Sequence, residues 1–221
     1  MSAPLLQVDD LRATLVTRDQ TLPLLNGISL SLEPGEALGL VGESGSGKSL
    51  TTRAIMRMLD PNFRVSGDVT FDGKSVLGMN RSELRHYRGN DVGMIFQDPR
   101  AHVNPVHRIG DFLTEALVRN RGMDRDEVEK RAVALLDEVG VRNPEQRLTQ
   151  YPHELSGGLL QRVLIASVLL AEPKLILADE PTTALDVTAQ SDVMAILEEQ
   201  RQARGLSLLF ITHDLELAQA C

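Results

Sequence analysis

The chain has 221 residues, 42% of them hydrophobic, a length and composition that fit one domain with an ample core. Its formal net charge of −8 argues against a nucleic-acid surface, which needs a basic face to meet phosphates. The lone Cys221 excludes an internal disulfide and no apolar run approaches the ~18 residues of a membrane span, so a reducing compartment is expected and any work at a membrane would go through partners. Taken in order, Leu5-Leu6-Gln7-Val8 and Leu11-Arg12-Ala13-Thr14-Leu15-Val16 read as two strands separated by Asp9-Asp10, and residues 17–20 as a turn. Ile28-Ser29-Leu30-Ser31-Leu32 alternates apolar and polar, the pattern of a half-buried strand. Pro34-Gly35 then turns the chain into a short buried strand over residues 36–41.

Next comes Gly42-Glu43-Ser44-Gly45-Ser46-Gly47-Lys48-Ser49, which fits G-x-x-x-x-G-K-[ST], the phosphate-cradling loop of nucleoside triphosphatases. Residues 50–59, starting at Leu50, read as a helix stopped by Asp60-Pro61. Gly42, Gly45 and Gly47 let the backbone curl its N–H groups around phosphate oxygens, and the helix start adds the positive end of its dipole. Lys48 is expected to reach the β- and γ-phosphates, and the Ser49 hydroxyl to ligate Mg²⁺. A flexible Gly/Ser linker of similar composition would not lie between an apolar strand and a periodic helix. Binding of a nucleoside triphosphate is the expectation.

Residues 67–73 form a further strand, and Asp91-Val92-Gly93-Met94-Ile95-Phe96 a short buried one running into Gln97-Asp98-Pro99. Between 108 and 139 the period becomes helical. Ile109, Phe112, Leu113, Ala116 and Leu117 mark one apolar face, and Val128, Ala132, Leu135, Leu136 and Val139 the next. Ser156 is a natural N-cap for a helix opening at Leu155-Ser156-Gly157-Gly158. A buried strand over 174–180 ends in Asp179-Glu180, an amphipathic helix spans 188–204, and a strand over 207–212 ends at His213. Early antiparallel pieces, a parallel nucleotide-binding core and an inserted helical lobe make an α/β fold.

These motifs, in this order, resemble the ATP-binding cassette (ABC) proteins, the ATPase subunits of membrane transporters, from about Leu5 to the end of the chain. The resemblance implies a phosphate-loop (RecA-like) core with an early antiparallel β subdomain and an inserted α-helical subdomain. One ABC ATPase domain over 1–221 is implied, split as 1–97, 98–168 and 169–221 and cut short after the switch histidine. It makes Asp179 the Mg²⁺-organising carboxylate and Glu180 the group that activates the attacking water. His213 becomes the reader of the γ-phosphate, and Gln97 a Mg²⁺ or water ligand that senses the transporter. Ser156, Gly157 and Gly158 would close over the ATP of a second ABC ATPase subunit in a head-to-tail dimer, and Ala184-Leu185-Asp186 would cross that interface.

Met94-Ile95-Phe96-Gln97-Asp98-Pro99, Asn104-Pro105-Val106, Tyr151-Pro152-His153-Glu154 and the run from Asp179 to Thr188 are similar to importers of peptides and nickel. That resemblance implies transmembrane permease subunits docking on residues 100–108, an extracytoplasmic solute-binding protein, and peripheral placement at the cytoplasmic face of the membrane. His102 and His107 lack the carboxylate or thiol support of a metal site. Three departures stand out: Ala101-His102-Val103 replaces a hydroxyl-rich run, Leu159-Leu160 replaces polar signature residues, and the chain stops at Cys221 where relatives continue. A fragment or a shortened product is therefore expected. A soluble ABC-type ATPase of the DNA-repair or translation class is the alternative, but no long coiled coil or second cassette is present. A phosphate-loop kinase would leave the signature and His213 unexplained. The family also stacks adenine on an early aromatic near Leu15, yet residues 5–27 hold no aromatic side chain, so weak base discrimination is expected.

Overall fold

The computed structural model describes residues 3–182 and 187–213. The predicted interface loop Ala184-Leu185-Asp186 lies outside the described residues.

Two four-stranded sheets carry the fold. The first has the order β2-β1-β4-β5 and is antiparallel, built from β1 (Leu6–Val16), β2 (Thr21–Leu32), β4 (Phe63–Phe71) and β5 (Lys74–Ser75). The second is parallel with the order β3-β8-β7-β6, from β3 (Ala37–Val41), β8 (Ser207–Thr212), β7 (Leu175–Asp179) and β6 (Val92–Ile95). Every residue of β7 and β8 is buried, as expected of central parallel strands covered on both faces. One apolar cluster joins the antiparallel sheet to the parallel one through Leu6, Val8, Ile55, Tyr87, Leu177 and Leu209. The other lies beneath α3 (Ile109–Arg121), α4 (Arg125–Glu138), α6 (Gly157–Leu169) and α7 (Val187–Arg204).

Where the sequence suggests two early strands, the structure has one. Asp9-Asp10 forms a bulge inside β1: the pairing with β2 and β4 slips there, and Asp10 takes a left-handed φ of 46°. Gly67 faces the bulge, and a Cβ at that position would collide with the Asp10 carbonyl. A side chain at 67 would push β4 away from β1. β2 and β4 are also longer than the alternation in residues 28–32 and 67–73 suggests.

The helix after the glycine loop, α1 (Lys48–Ile55), ends about a turn before Asp60-Pro61. Arg57 adopts φ 51°, and the Met58 N–H bonds back to the Arg53 carbonyl, which closes the helix. Arg88 then covers the freed end, with its Nε 2.8 Å from the Met56 carbonyl and its guanidinium also on the Arg57 carbonyl. A short α2 (Arg81–His86), opened by an Asn80–Glu83 capping box, delivers Arg88 there through one π-turn. The helical stretch over 108–139 is interrupted at Gly122, φ 66°, and Asp124 caps α4 by accepting from the Glu127 N–H. A single-turn α5 (Pro144–Leu148) leads toward α6, which starts where Ser156 accepts from the Leu159 N–H at 3.3 Å.

Within α6, Gln161 is 1% exposed and both polar atoms of its amide have no partner among the described residues. Replacing an orphaned buried amide with an apolar side chain of similar volume removes a desolvation cost of about 1–3 kcal/mol. Gln161→Met is accordingly expected to raise the midpoint of urea unfolding. An unchanged or lower midpoint would show that the amide finds a partner in solution.

Candidate active site

The carboxyl ends of β3, β7 and β8 meet at one edge of the parallel sheet, the place where open α/β sheets gather ligands. β3 feeds Gly42-Glu43-Ser44-Gly45-Ser46-Gly47, and the loop curls through Gly45 at φ 80° and Gly47 at φ 93°. Gly47 also admits no side chain, because a Cβ would sit 2.6 Å from Leu25 Cδ2 on β2. The first sheet therefore braces the loop directly. Lys48 Nζ donates to the carbonyls of Gly42 at 2.7 Å and Glu43 at 2.8 Å, so the ammonium lies across the loop mouth. The Ser46 N–H bonds to the Glu43 carbonyl at 3.2 Å, and the Ser46 hydroxyl lies 3.2 Å from where a Gly42 Cβ would be.

β7 brings Asp179 in from the centre of the sheet. Its Oδ1 accepts from the Ser49 hydroxyl at 2.6 Å. Burial pushes the Asp179 carboxyl above the usual carboxylate range, opposed by the Ser49 hydrogen bond and by the charge of Arg53. Glu180 follows with φ 47°, a left-handed conformation costly for a residue with a Cβ. That kink sends Asp179 and Glu180 in different directions from adjacent positions. Glu180 Oε2 accepts from Gln97 Nε2 at 2.8 Å, and Oε1 is ion-paired with His213 Nε2. The other ring nitrogen of His213 lies 3.2 Å from the Gly42 carbonyl.

Ser44, Gly45, Gly47, Lys48, Ser49, Leu50, Gln97, Glu180 and His213 thus share one cleft of about 580 Å³, with Asp179 behind Ser49. Ser156, Gly157 and Gly158 do not line it. They form the first turn of α6, where the Ser156 side chain caps its own helix and Gly158 packs near Ala189. His102 and His107 are engaged separately, His102 with the Asp98 carbonyl and His107 3.8 Å from Glu115. Among the described residues no cluster of three or more His, Cys, Asp or Glu could hold a metal ion.

Leu24 joins the cleft without any signal in the sequence. It is 42% exposed on β2, and its carbonyl lies 3.4 Å from where a Gly47 Cβ would be. A strand of mostly apolar residues gives no sign of which one is left uncovered. Leu15, the position singled out from the sequence, does not line the cleft. Tyr87 cannot reach it either: the ring is wholly buried, its hydroxyl donates to the Ile55 carbonyl at 3.2 Å, and burial pushes its phenol far up. Tyr151 packs with His153 and Arg108 instead.

The family model described as ABC transporter matches residues 25–183. The oligopeptide transport ATP-binding protein OppD of Salmonella typhimurium is 46% identical over 211 residues, 96% of this chain and 63% of the relative. OppD of Bacillus subtilis is 43% identical over 213 residues, 96% of this chain and 60% of the relative. The chain therefore spans less than two thirds of the length of either. A solved dimer of the ATP-binding cassette MJ0796, in a post-hydrolysis state bound to ADP and Pi, superposes with a TM-score of 0.85 at 28% identity. That similarity covers 97% of this chain and 90% of the other.

Proposed function

The chain belongs to the ABC transporter family, and from that premise we propose that it binds and hydrolyses ATP to drive a peptide importer. The convergence of Lys48, Ser49, Asp179, Gln97, Glu180 and His213 on one cleft carries this reading. The triphosphate lies along the glycine loop, and Lys48 leaves the Gly42 and Glu43 carbonyls to meet its β- and γ-phosphates. Ser49, Asp179 and Gln97 offer only hard oxygen donors, a set that fits Mg²⁺, and a cation there would relieve the buried Asp179 carboxylate. When bound, the ion neutralises charge on the phosphate oxygens. Glu180 takes a proton from the attacking water as Gln97 and His213 orient its two oxygens. His213, held between Glu180 and the loop carbonyl, turns toward the γ-phosphate and ties the nucleotide state to β8.

Ser156, Gly157 and Gly158 make an anion-binding helix start outside the chain's own cleft. We assign them to the nucleotide of a second, homologous ATPase subunit, as the dimeric relative suggests. Permease subunits are proposed to dock on residues 100–108 of the helical subdomain, with an extracytoplasmic binding protein presenting the solute. No described helix is long and apolar enough to cross a membrane, so the membrane contact is assigned to the permeases at the cytoplasmic face. Peptide is preferred to nickel as cargo because the relatives described above are oligopeptide transport proteins. The test is phosphate release by the purified protein with its permeases in vesicles. Peptide-loaded binding protein is expected to stimulate release, whereas release that ignores peptide would overturn the assigned cargo.

With Leu24 and Leu50 as the apolar wall, the base meets aliphatic rather than aromatic carbon. Aromatic stacking adds about 1–3 kcal/mol per base in nucleic-acid complexes, so its loss leaves affinity to the phosphates. GTP is expected to bind within roughly tenfold of ATP, a gap of about 1.4 kcal/mol, and Leu24→Tyr to tighten ATP. Calorimetric titration showing a strong ATP preference that Leu24→Tyr does not change would contradict this assignment.

A further inference from the structure

His102 stands in an exposed segment, yet its imidazole lies flat on the Phe96 ring, with centroids 3.8 Å apart and planes 4° from parallel. The ring is oriented from its own side as well. Nδ1 lies 2.9 Å from the Asp98 carbonyl, and Asp98 Oδ1 accepts from the Arg100 N–H at 2.9 Å, which closes the short turn over Arg100–His102. Beyond the turn the segment is anchored to the helices. Val103 is buried among them, the Ile109 N–H donates to the Gln150 carbonyl at 2.9 Å, and the Arg108 guanidinium lies over Tyr151. The next residue after Phe96 is Gln97, whose amide holds Glu180.

We propose that His102 is a positioning residue: its stack on Phe96 fixes the strand end that aims Gln97 at Glu180. This rests on the hydrolytic reading of the site. The route is short and physical. A stacked pair resists shear of the segment relative to β6, and Gln97, one bond past Phe96, follows any shift of that backbone.

Steady-state phosphate release should be compared in wild type, His102→Ala, His102→Tyr and His102→Asn. His102→Ala and His102→Asn are expected to lower kcat about five- to tenfold with KM for ATP within about twofold. His102→Tyr, which restores a stacking face, is expected to return kcat to within about twofold of wild type. Equal kcat in His102→Ala, a KM rise in place of a kcat loss, or no rescue by tyrosine would each overturn the proposal. Wild type without turnover would instead sink the hydrolytic reading. The Gln97 side-chain amide signals, assigned by their loss in Gln97→Glu, give an answer in either event. They should move in His102→Ala and return in His102→Tyr, and unmoved signals would overturn the positioning role.

Discussion

Glu180→Gln is expected to bind ATP as wild type does and to lose about 10²–10⁴-fold in turnover, the usual cost of removing a general base. The substitution keeps the shape and keeps an acceptor for Gln97, whose amide lies 2.8 Å from Oε2. What it removes is the charge that faces His213 and is assigned to take the proton of the attacking water. The phosphate contacts proposed for Lys48 and the glycine loop are left in place, so affinity should persist while chemistry stops. With hydrolysis blocked, the nucleotide-bound dimer should accumulate. Single-turnover phosphate release and a binding titration on one preparation check both halves. Wild-type turnover in Glu180→Gln would remove the residue from the role assigned to it.

Ser156→Arg is expected to leave ATP binding to one subunit intact and to abolish nucleotide-dependent dimerisation. Ser156 lies outside the chain's own cleft, so a large side chain there obstructs nothing within the subunit. Across the interface it would occupy the space of the opposite γ-phosphate. The cost to the fold is small by comparison: loss of the cap on the Leu159 N–H is worth about 1 kcal/mol. Sedimentation of the double variant Glu180→Gln/Ser156→Arg with ATP should show monomers, where Glu180→Gln alone shows dimers. A stable dimer despite the arginine would mean that α6 does not act across subunits.

Much of the cleft's lining was legible because its residues lie in contiguous motifs. The glycine loop, Asp179-Glu180 and His213 each close an apolar run, and a strand end is where a parallel sheet exposes side chains to ligand. That they end strands of one parallel sheet needed no knowledge of loop conformation, whereas the left-handed turn at Glu180 did. The less legible features depend on single backbone torsions or on packing between distant segments. Asp10 and Arg57 take left-handed φ values that carry no glycine signal, so the bulge in β1 and the early end of α1 are invisible in composition. In the case of Asp10 the signal is displaced, because Gly67 on the neighbouring strand makes room for it. Leu24 was missed for a different reason. Its exposure follows from where β2 passes the glycine loop, a tertiary fact that strand periodicity does not encode.

The central claim is that each hydrolytic site combines Lys48 of one subunit with Ser156 of another, and complementation between two inactive variants tests it most directly. Lys48→Ala and Ser156→Arg are each expected to lack turnover alone. In a mixed head-to-tail dimer, one site takes its lysine from the Ser156→Arg subunit and its serine from the Lys48→Ala subunit, and so is intact. Phosphate release measured on the mixture should reappear. A subunit carrying both substitutions, mixed with wild type, leaves every mixed-dimer site damaged and should lower release. A mixture of the two single variants as inactive as either alone would contradict the shared site.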